Sequence, residues 1–353
     1  MARKIDGRLA YADLLRSVSV IAVIMLQLSY SRLTAASVNS SAWTVYNAYS
    51  ALTRWSVPIF VMLSGAFLLD PKKSGKLRVQ FLRILRIFLV LVVWSAIYAM
   101  ADHLNQGGSL SWNGFKSALL SALRGNVHGH LWFLYMILGL YLAAPILRAF
   151  IKGASRATLH YFLILTFVVT FFLPTFLKFY PGNPLSTHLN RVELHLVLGY
   201  VGYFVGGYYL KTYTINRLVE AIIYVLGLAG AVVTLWGTSV LSHRAGTLST
   251  VLYGYLTPNV CFTTVAMFVL FRYVLGISEE RGRNRRMVGV GRITLGIYAL
   301  HELFIMLLGN LGVFAIPLTP VVAVPAFTAV VFLLSFGAAW LLSKIPFVGP
   351  YFT

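Results

Sequence analysis

Residues 11–27 read Tyr11-Ala-Asp-Leu-Leu-Arg-Ser-Val-Ser-Val-Ile-Ala-Val-Ile-Met-Leu-Gln27, and they open a hydrophobic run long enough to cross a lipid bilayer. At 1.5 Å of rise per residue, a helix carries Gln27 roughly 16 Å further along its axis than Arg16. A polar side chain at that depth is by itself a functional-site hypothesis, because burying it among lipid tails is unfavourable. The stretch therefore predicts a membrane-spanning helix with a functional residue at position 27.

The composition is that of an integral membrane protein. The 353 residues are 59% hydrophobic and only 11% charged, with a mean hydropathy of +0.79, whereas soluble proteins average about 25% charged residues. The apolar runs are continuous rather than alternating with polar residues, which favours helices over a membrane barrel. We therefore predict an all-α, polytopic membrane protein.

Ten apolar runs are predicted to span the membrane. They lie near residues 12–33, 50–69, 83–102, 130–150, 158–178, 194–210, 218–240, 252–275, 289–311 and 319–343. An even number of spans puts both termini on the same side, and with the N-terminus in the cytoplasm most of the 29 Lys and Arg residues are cytoplasmic too. The exceptions are Arg32, Arg54, Lys116, Arg124, Lys178, Arg191 and Arg244. Because basic residues concentrate in cytoplasmic loops, both termini are predicted to be cytoplasmic.

The chain contains no evident internal repeat and no low-complexity tract. Together with the charge balance, this indicates one membrane domain, 1–353. A net charge of +20 would suggest nucleic acid in a soluble protein, but the basic loops account for it here and no nucleic-acid partner is expected. The long outer connection 103–129 contains a stretch, Trp112 to Arg124, that is expected to form a short interfacial helix.

Basic and small residues mark the predicted cytoplasmic side. Arg83 and Arg86 are three apart and share a helix face, so together they can clamp a phosphate or serve only as topology anchors. Arg16, three residues after Asp13, is either half of a local ion pair or a further contact for an anionic ligand. Ser64, next to Gly65, permits close helix approach.

Histidines and aromatic residues mark the other side. His130 can bind a sugar or move a proton, and Trp132 beside it is of the type found at membrane interfaces. Tyr298 and His301 share a helix face, and Glu302 follows them, so an imidazole and a carboxylate within one span need a buried partner or water. No cluster with metal-ligand spacing accompanies them, and no metal is predicted.

Together these segments resemble the acyltransferase 3 family of integral membrane acyltransferases, in particular the short type that O-acetylates bacterial surface glycans. The resemblance runs in family order across most of the chain. Its segments are Asp13-Leu-Leu-Arg16 with the spacing to 27, Pro58 through Ser64-Gly65, Arg83-x-x-Arg86, His130-Leu-Trp132-Phe, and Gly296-Ile-Tyr298-Ala-Leu-His301.

The resemblance implies an acyl-CoA, usually acetyl-CoA, that binds from the cytoplasm and donates to a glycan hydroxyl. Its implied binding residues are Arg16, Arg83, Arg86 and Ser64. The implied catalytic position is eleven residues after the first arginine, which is Gln27, with His130 and His301 as further candidates. Trp132, Tyr298 and Glu302 are expected to line the substrate path.

Gln27 departs from the family pattern, which has histidine at this position. An amide has no nitrogen that accepts a proton near pH 7, and losing a general base typically costs about 10²–10⁴-fold in rate. Three explanations stay open: an introduced His→Gln substitution, a diverged enzyme whose base is His130 or His301, or a chain that has lost transfer and kept binding or transport.

The sequence thus predicts a multi-pass O-acyltransferase of a bacterial cytoplasmic membrane. It is expected to move an acetyl or other short acyl group from coenzyme A to a surface polysaccharide or its lipid-linked precursor. The sequence leaves open whether it is a monomer or a homo-oligomer. The alternative is a polysaccharide exporter or a non-enzymatic partner of a glycan synthase. Transporters tend to show paired half-repeats with broken helices, and no convincing pair is visible.

Overall fold

The computed structural model describes residues 10–71, 77–109, 111–123, 129–180, 199–275, 290–291, 293–346 and 349. Within these ranges the regular structure is helical and contains no strand, which confirms the predicted all-α class. The helices are α1 (Ala10–Ala35), α2 (Ser41–Thr53), α3 (Ser56–Leu68), α4 (Leu77–Asn105), α5 (Trp112–Leu123), α6 (Trp132–Gly153), α7 (Arg156–Thr166), α8 (Leu173–Leu177), α9 (Val201–Thr212), α10 (Arg217–Val232), α11 (Thr238–Ala245), α12 (Pro258–Tyr273), α13 (Thr294–Asn310) and α14 (Pro320–Lys344).

Seven segments in the described part of the chain are long and apolar enough to cross a membrane. They are Ala10–Ala35, Ser41–Leu68, Leu77–Asn105, Gly129–Gly153, Arg156–Leu177, Arg217–Ala245 and Pro320–Lys344. Each of the ten predicted spans contains a helix, but spans 194–210 and 289–311 begin outside the described residues. The chain is therefore a polytopic membrane protein, while the count of ten and the cytoplasmic termini stay predictions.

Local sequence explains where several helices begin. Ser40, Ser155 and Asn216 stand directly before α2, α7 and α10, and each side chain accepts a hydrogen bond from a backbone N–H three residues later. Such caps satisfy N–H groups that have no partner within the helix. The short helix predicted from Trp112 is present as α5.

The predicted second span, 50–69, lies largely within the candidate span Ser41–Leu68, but its helix is interrupted. Helix α2 ends at Thr53 and α3 begins at Ser56. Pro58 supplies the reason: it has no N–H for the carbonyl of Arg54 four residues earlier, and its ring crowds that carbonyl. The break places Arg54 between two helices rather than inside one.

Helix α1 lies at the centre of the bundle, where it packs against α2, α3, α12, α13 and α14. Its apolar side chains divide between two clusters of buried residues. Leu15 joins one that includes Met62, Phe204 and Phe268, and Ile24 joins the other. Arg16 and Gln27 therefore both project from a helix that other helices surround on several sides.

Helices α3 and α9 cross with their backbones in contact, because each supplies a glycine at the crossing. A Cβ atom on Gly65 would overlap the carbonyl oxygen of Phe204, and one on Gly207 would overlap that of Met62. This confirms the close approach predicted from Ser64 and Gly65. Small residues allow such contacts where lipid offers no hydrophobic drive for association.

Replacing Gly207 by alanine is therefore expected to destabilise the protein markedly. The added methyl group meets backbone atoms that cannot move without separating α3 from α9, at a cost near the upper end of about 1–3 kcal/mol for overpacking. Thermal unfolding in detergent measures this as a lower midpoint. Gly206→Ala is the matched control, because the nearest atom to its new Cβ is Leu163 Cδ2 at 3.8 Å. Equal midpoints for the two variants would contradict the crossing.

Candidate functional site

Two cavities lie end to end inside the helix bundle. The arginine cavity, of about 440 Å³, is lined by Arg16, Ser64, Arg83, Arg86 and Tyr141 among others. The histidine cavity, of about 370 Å³, is lined by Gln27, Arg54, His130, Trp132 and Glu302 among others. The first lies where α1 and α4 begin, and the second lies towards the end of α1 and the start of α6.

The arginine cavity brings together three guanidinium groups from two helices. Arg16 comes from α1, and Arg83 and Arg86 come from one face of α4. Arg16 donates to a carboxylate oxygen of Asp13 at 2.8 Å and lies 4.9 Å from the ring centroid of Phe67. Arg16 is thus paired within its own helix and also faces the cavity, while its contact with an anionic ligand stays a prediction. Three cations around one cavity suit a ligand with several phosphates.

Hydrogen bonds between helices fix the walls of this cavity. Gln80 of α4 donates to the carbonyl of Tyr141 in α6 at 2.7 Å, and Arg148 of α6 donates to the carbonyl of Leu68 in α3. Ser64 lines the cavity from α3. The bonds hold α3, α4 and α6 around the arginine pair, so their positions are fixed before any ligand arrives.

Three aromatic side chains, Phe60, Phe133 and Tyr298, line both cavities and form the wall between them. The ring centroid of Phe133 lies 6.2 Å from that of Phe60 and 5.6 Å from that of Tyr298. The Tyr298 hydroxyl donates to the backbone carbonyl of His130. A ligand in either cavity would therefore lie against the same three rings.

The histidine cavity brings together predicted residues that are far apart in sequence. Gln27 comes from α1, Glu302 from α13, and Trp132 from the start of α6. His130 lies in the short 3₁₀ turn Gly129–Leu131 that leads into α6. Position 27 therefore shares a cavity with an imidazole and a carboxylate, although its own side chain is neither acid nor base.

The imidazole of His130 is held on several sides by aromatic rings. Its centroid lies 4.5 Å from that of Tyr98, 5.7 Å from that of Tyr298 and 5.4 Å from that of His301. Tyr98 is itself fixed, because its hydroxyl donates to the Ala299 carbonyl at 2.8 Å. The ring of His130 is therefore confined to a small range of orientations.

His301 lines neither cavity, although the sequence placed it among the catalytic candidates. It is fully buried, and its Nδ1 donates to the carbonyl of Tyr298. Its Nε2 lies 3.9 Å from Glu302 Oε2. This geometry suits a residue that holds Glu302 and His130 in position better than one that reaches a substrate. The other predicted site residues each line at least one of the two cavities, and Tyr298 lines both.

Arg54 and the tyrosines around it, Tyr30 and Tyr255, line the histidine cavity but are not among the predicted site residues. In the prediction from sequence, Arg54 is only one of the seven Lys and Arg residues placed outside the cytoplasmic segments. A signal was present, since Arg54 lies in an apolar run four residues before Pro58. An ionisable residue in such a run is a functional-site hypothesis by default.

A family model described as an acyltransferase domain matches residues 9–343, which is nearly the whole chain. No curated protein and no solved structure matches the chain. In the described part of the chain, no group of three or more His, Cys, Asp or Glu residues is arranged to hold a metal ion.

Proposed function

The chain belongs to the acyltransferase 3 family, and on that premise we propose that it transfers an acetyl or other short acyl group from coenzyme A to a hydroxyl group of a glycan. One observation carries the proposal: an arginine-lined cavity and a histidine-lined cavity share a single wall of three rings. The acceptor is a surface polysaccharide or its lipid-linked precursor, and the setting is a bacterial cytoplasmic membrane.

The donor occupies the arginine cavity. Coenzyme A carries its phosphates at one end and its thioester at the other, so charge separates the two ends. Arg16, Arg83 and Arg86 supply charge-assisted hydrogen bonds for the phosphates. The thioester then points towards Phe133 and Tyr298 at the wall, which brings the acyl carbon to the edge of the histidine cavity.

The acceptor hydroxyl reacts from the histidine cavity. Its oxygen attacks the acyl carbon, a carbon–oxygen ester bond forms, and the carbon–sulfur bond breaks. His130 removes the hydroxyl proton, which finally goes to the departing thiolate of coenzyme A. The Gln27 side-chain amide donates a hydrogen bond to the carbonyl oxygen as negative charge develops there. In this scheme His130 takes the role that the family assigns to position 27.

Stabilisation by acetyl-CoA tests the donor half of the proposal. In detergent, acetyl-CoA is expected to raise the unfolding midpoint of the purified chain, because a ligand that binds only the folded state stabilises it. In proteoliposomes, label from radioactive acetyl-CoA is expected to appear on added surface glycan. If acetyl-CoA neither stabilises the protein nor labels glycan, the exporter hypothesis replaces this one, since a glycan carrier needs no coenzyme A.

The shared wall yields a separate prediction. Replacing Phe133 by leucine shortens one ring of the wall while keeping an apolar side chain, so water gains access to the thioester. Release of coenzyme A without acceptor is expected to rise severalfold relative to acyl transfer, because closed sites suppress hydrolysis by excluding water. The ratio of the two rates is the measurement. Phe172→Leu, at an exposed position of the π-helical turn between α7 and α8, is the control. An unchanged ratio in Phe133→Leu would argue against a sealing wall.

A further inference from the structure

We propose that the acceptor bound in the histidine cavity carries an anionic group, a carboxylate or a phosphate, and that Arg54 binds it. That the bound molecule is an acceptor rests on the proposed function, whereas the anion site itself follows from Arg54 and its surroundings. It assigns a substrate class, acidic rather than neutral sugars, to a cavity for which the family match gives none.

Arg54 is a buried cation with incomplete bonding. Its exposed fraction is 8%, and its Nη1 donates a hydrogen bond to the carbonyl of Tyr253 at 3.2 Å. Nε and Nη2 are buried and have no hydrogen-bond partner among the described residues. No carboxylate in that part of the chain pairs with it. A buried charge without a partner is unfavourable, so a ligand that supplies an oxyanion is stabilised there.

Aromatic rings hold the guanidinium in place. Its central carbon lies 4.2 Å from the ring centroid of Tyr253, 4.5 Å from that of Tyr30 and 5.7 Å from that of Tyr255. Tyr253 is anchored in turn, because its hydroxyl donates to the side chain of Asn47. Cation–π contacts of this kind fix orientation without neutralising the charge. The side chain is therefore positioned in advance and remains positive.

The two nitrogens without partners define the shape of the ligand group. Nε and Nη2 lie on the same edge of a guanidinium, and their N–H bonds are nearly parallel. That edge matches two oxygens of one carboxylate or one phosphate, which is the bidentate arrangement that arginine favours. A neutral hydroxyl would satisfy at most one of these donors and would leave the charge uncompensated.

The surroundings favour a sugar as the bearer of this anion. Trp132 and Tyr255 stack with ring centroids 5.6 Å apart, and both line the same cavity of about 370 Å³ as Arg54. Broad aromatic faces with a few placed polar groups are typical of sites for small organic ligands. Glu302, the acidic residue of the cavity, is associated with His301. A sugar acid or sugar phosphate can thus place its ring on the aromatic faces and its anion on Arg54.

Binding of simple sugars to the full chain in detergent tests the inference without any transfer reaction. The probes are methyl glucuronide and glucose 1-phosphate, with methyl glucoside as the neutral match. Both anionic probes are expected to bind about tenfold or more tightly than the neutral one, since hydrogen bonds to charged groups are the strong ones. Preference for the carboxylate alone or the phosphate alone would identify the source of the anion. Equal affinity for all three probes in the unaltered chain would overturn the inference.

Variants then locate the preference. In Arg54→Gln the preference for the anionic probes is expected to fall below twofold. Arg54→Lys keeps the positive charge but loses the bidentate geometry of the guanidinium, so its preference is expected to be intermediate. Arg32→Gln is the matched control, because Arg32 also lies against two rings, Phe314 and Phe327, but does not line the cavity. A preference that survives in Arg54→Gln would place the anion elsewhere and overturn the assignment.

Parallel assays separate this inference from the proposed function. Loss of acetyl-CoA binding together with an Arg54-dependent anion preference would remove the acyltransferase proposal and leave the anion site intact. Acyl transfer at equal rates to neutral and acidic acceptors would support the acyltransferase proposal and remove the inference about an anionic acceptor. If Arg54→Gln instead weakens binding of succinyl-CoA but not of acetyl-CoA, the anion belongs to the acyl group of the donor and the inference about the acceptor is wrong.

Discussion

Replacing Arg83 and Arg86 together by glutamine is expected to weaken acetyl-CoA binding by about 10²-fold or more. Both side chains line the arginine cavity from one face of α4, and each hydrogen bond to a charged group contributes about 1.5–3 kcal/mol. In the unaltered chain, the affinity for acetyl-CoA is expected to fall with rising salt concentration, because salt screens the phosphate contacts. Isothermal titration in detergent gives the dissociation constant directly.

Arg78→Gln is the control for this experiment. Arg78 lies on the same helix, is exposed and does not line the cavity, so Arg78→Gln removes one positive charge from the same end of the protein, against two in the double variant. Its affinity for acetyl-CoA is expected to stay within about twofold of the unaltered chain, since exposed charges contribute little. Equal losses in the double variant and in Arg78→Gln would indicate that the arginines only attract anions generally and form no clamp.

Replacing His130 by glutamine is expected to lower turnover by about 10²–10⁴-fold, the usual contribution of a general base. Acetyl-CoA affinity is expected to change little, because His130 lines the other cavity. The double variant Gln27→His with His130→Gln is expected to recover much of the activity, since it returns an imidazole to the same cavity. Coenzyme A release in proteoliposomes with glycan acceptor is the measurement, and His243→Gln, an exposed histidine on α11, is the control.

The opposite pattern would change the mechanism. If Gln27→His alone raises turnover by orders of magnitude and His130→Gln then has little effect in that background, the base belongs at position 27. The chain as it stands would then be a disabled form of the family mechanism. If His130→Gln and Gln27→His both leave the chain inert while acetyl-CoA still binds, the chain binds the donor without transferring the acyl group.

The membrane class, the helices and the family were all accessible from the sequence. Hydropathy along the chain located the helices because each one must satisfy its own backbone in lipid, which is a local requirement. Spacing predicted that Arg83 and Arg86 share a face, because three residues is nearly one helical turn. The capping residues were also local in origin, and Gly65 marked one side of a close helix approach without indicating which helix would meet it.

Only the tertiary structure decided what meets across helices. The helix break near Pro58 places Arg54 at the lining of the histidine cavity. Helix packing leaves His301 outside the lining of both cavities. The ring wall of Phe60, Phe133 and Tyr298 joins three separate helices. These outcomes depend on the rotation of each helix about its axis, which is set by contacts such as the α3–α9 crossing. Periodicity along one helix determines which of its residues share a face. It does not determine which other helix that face will contact.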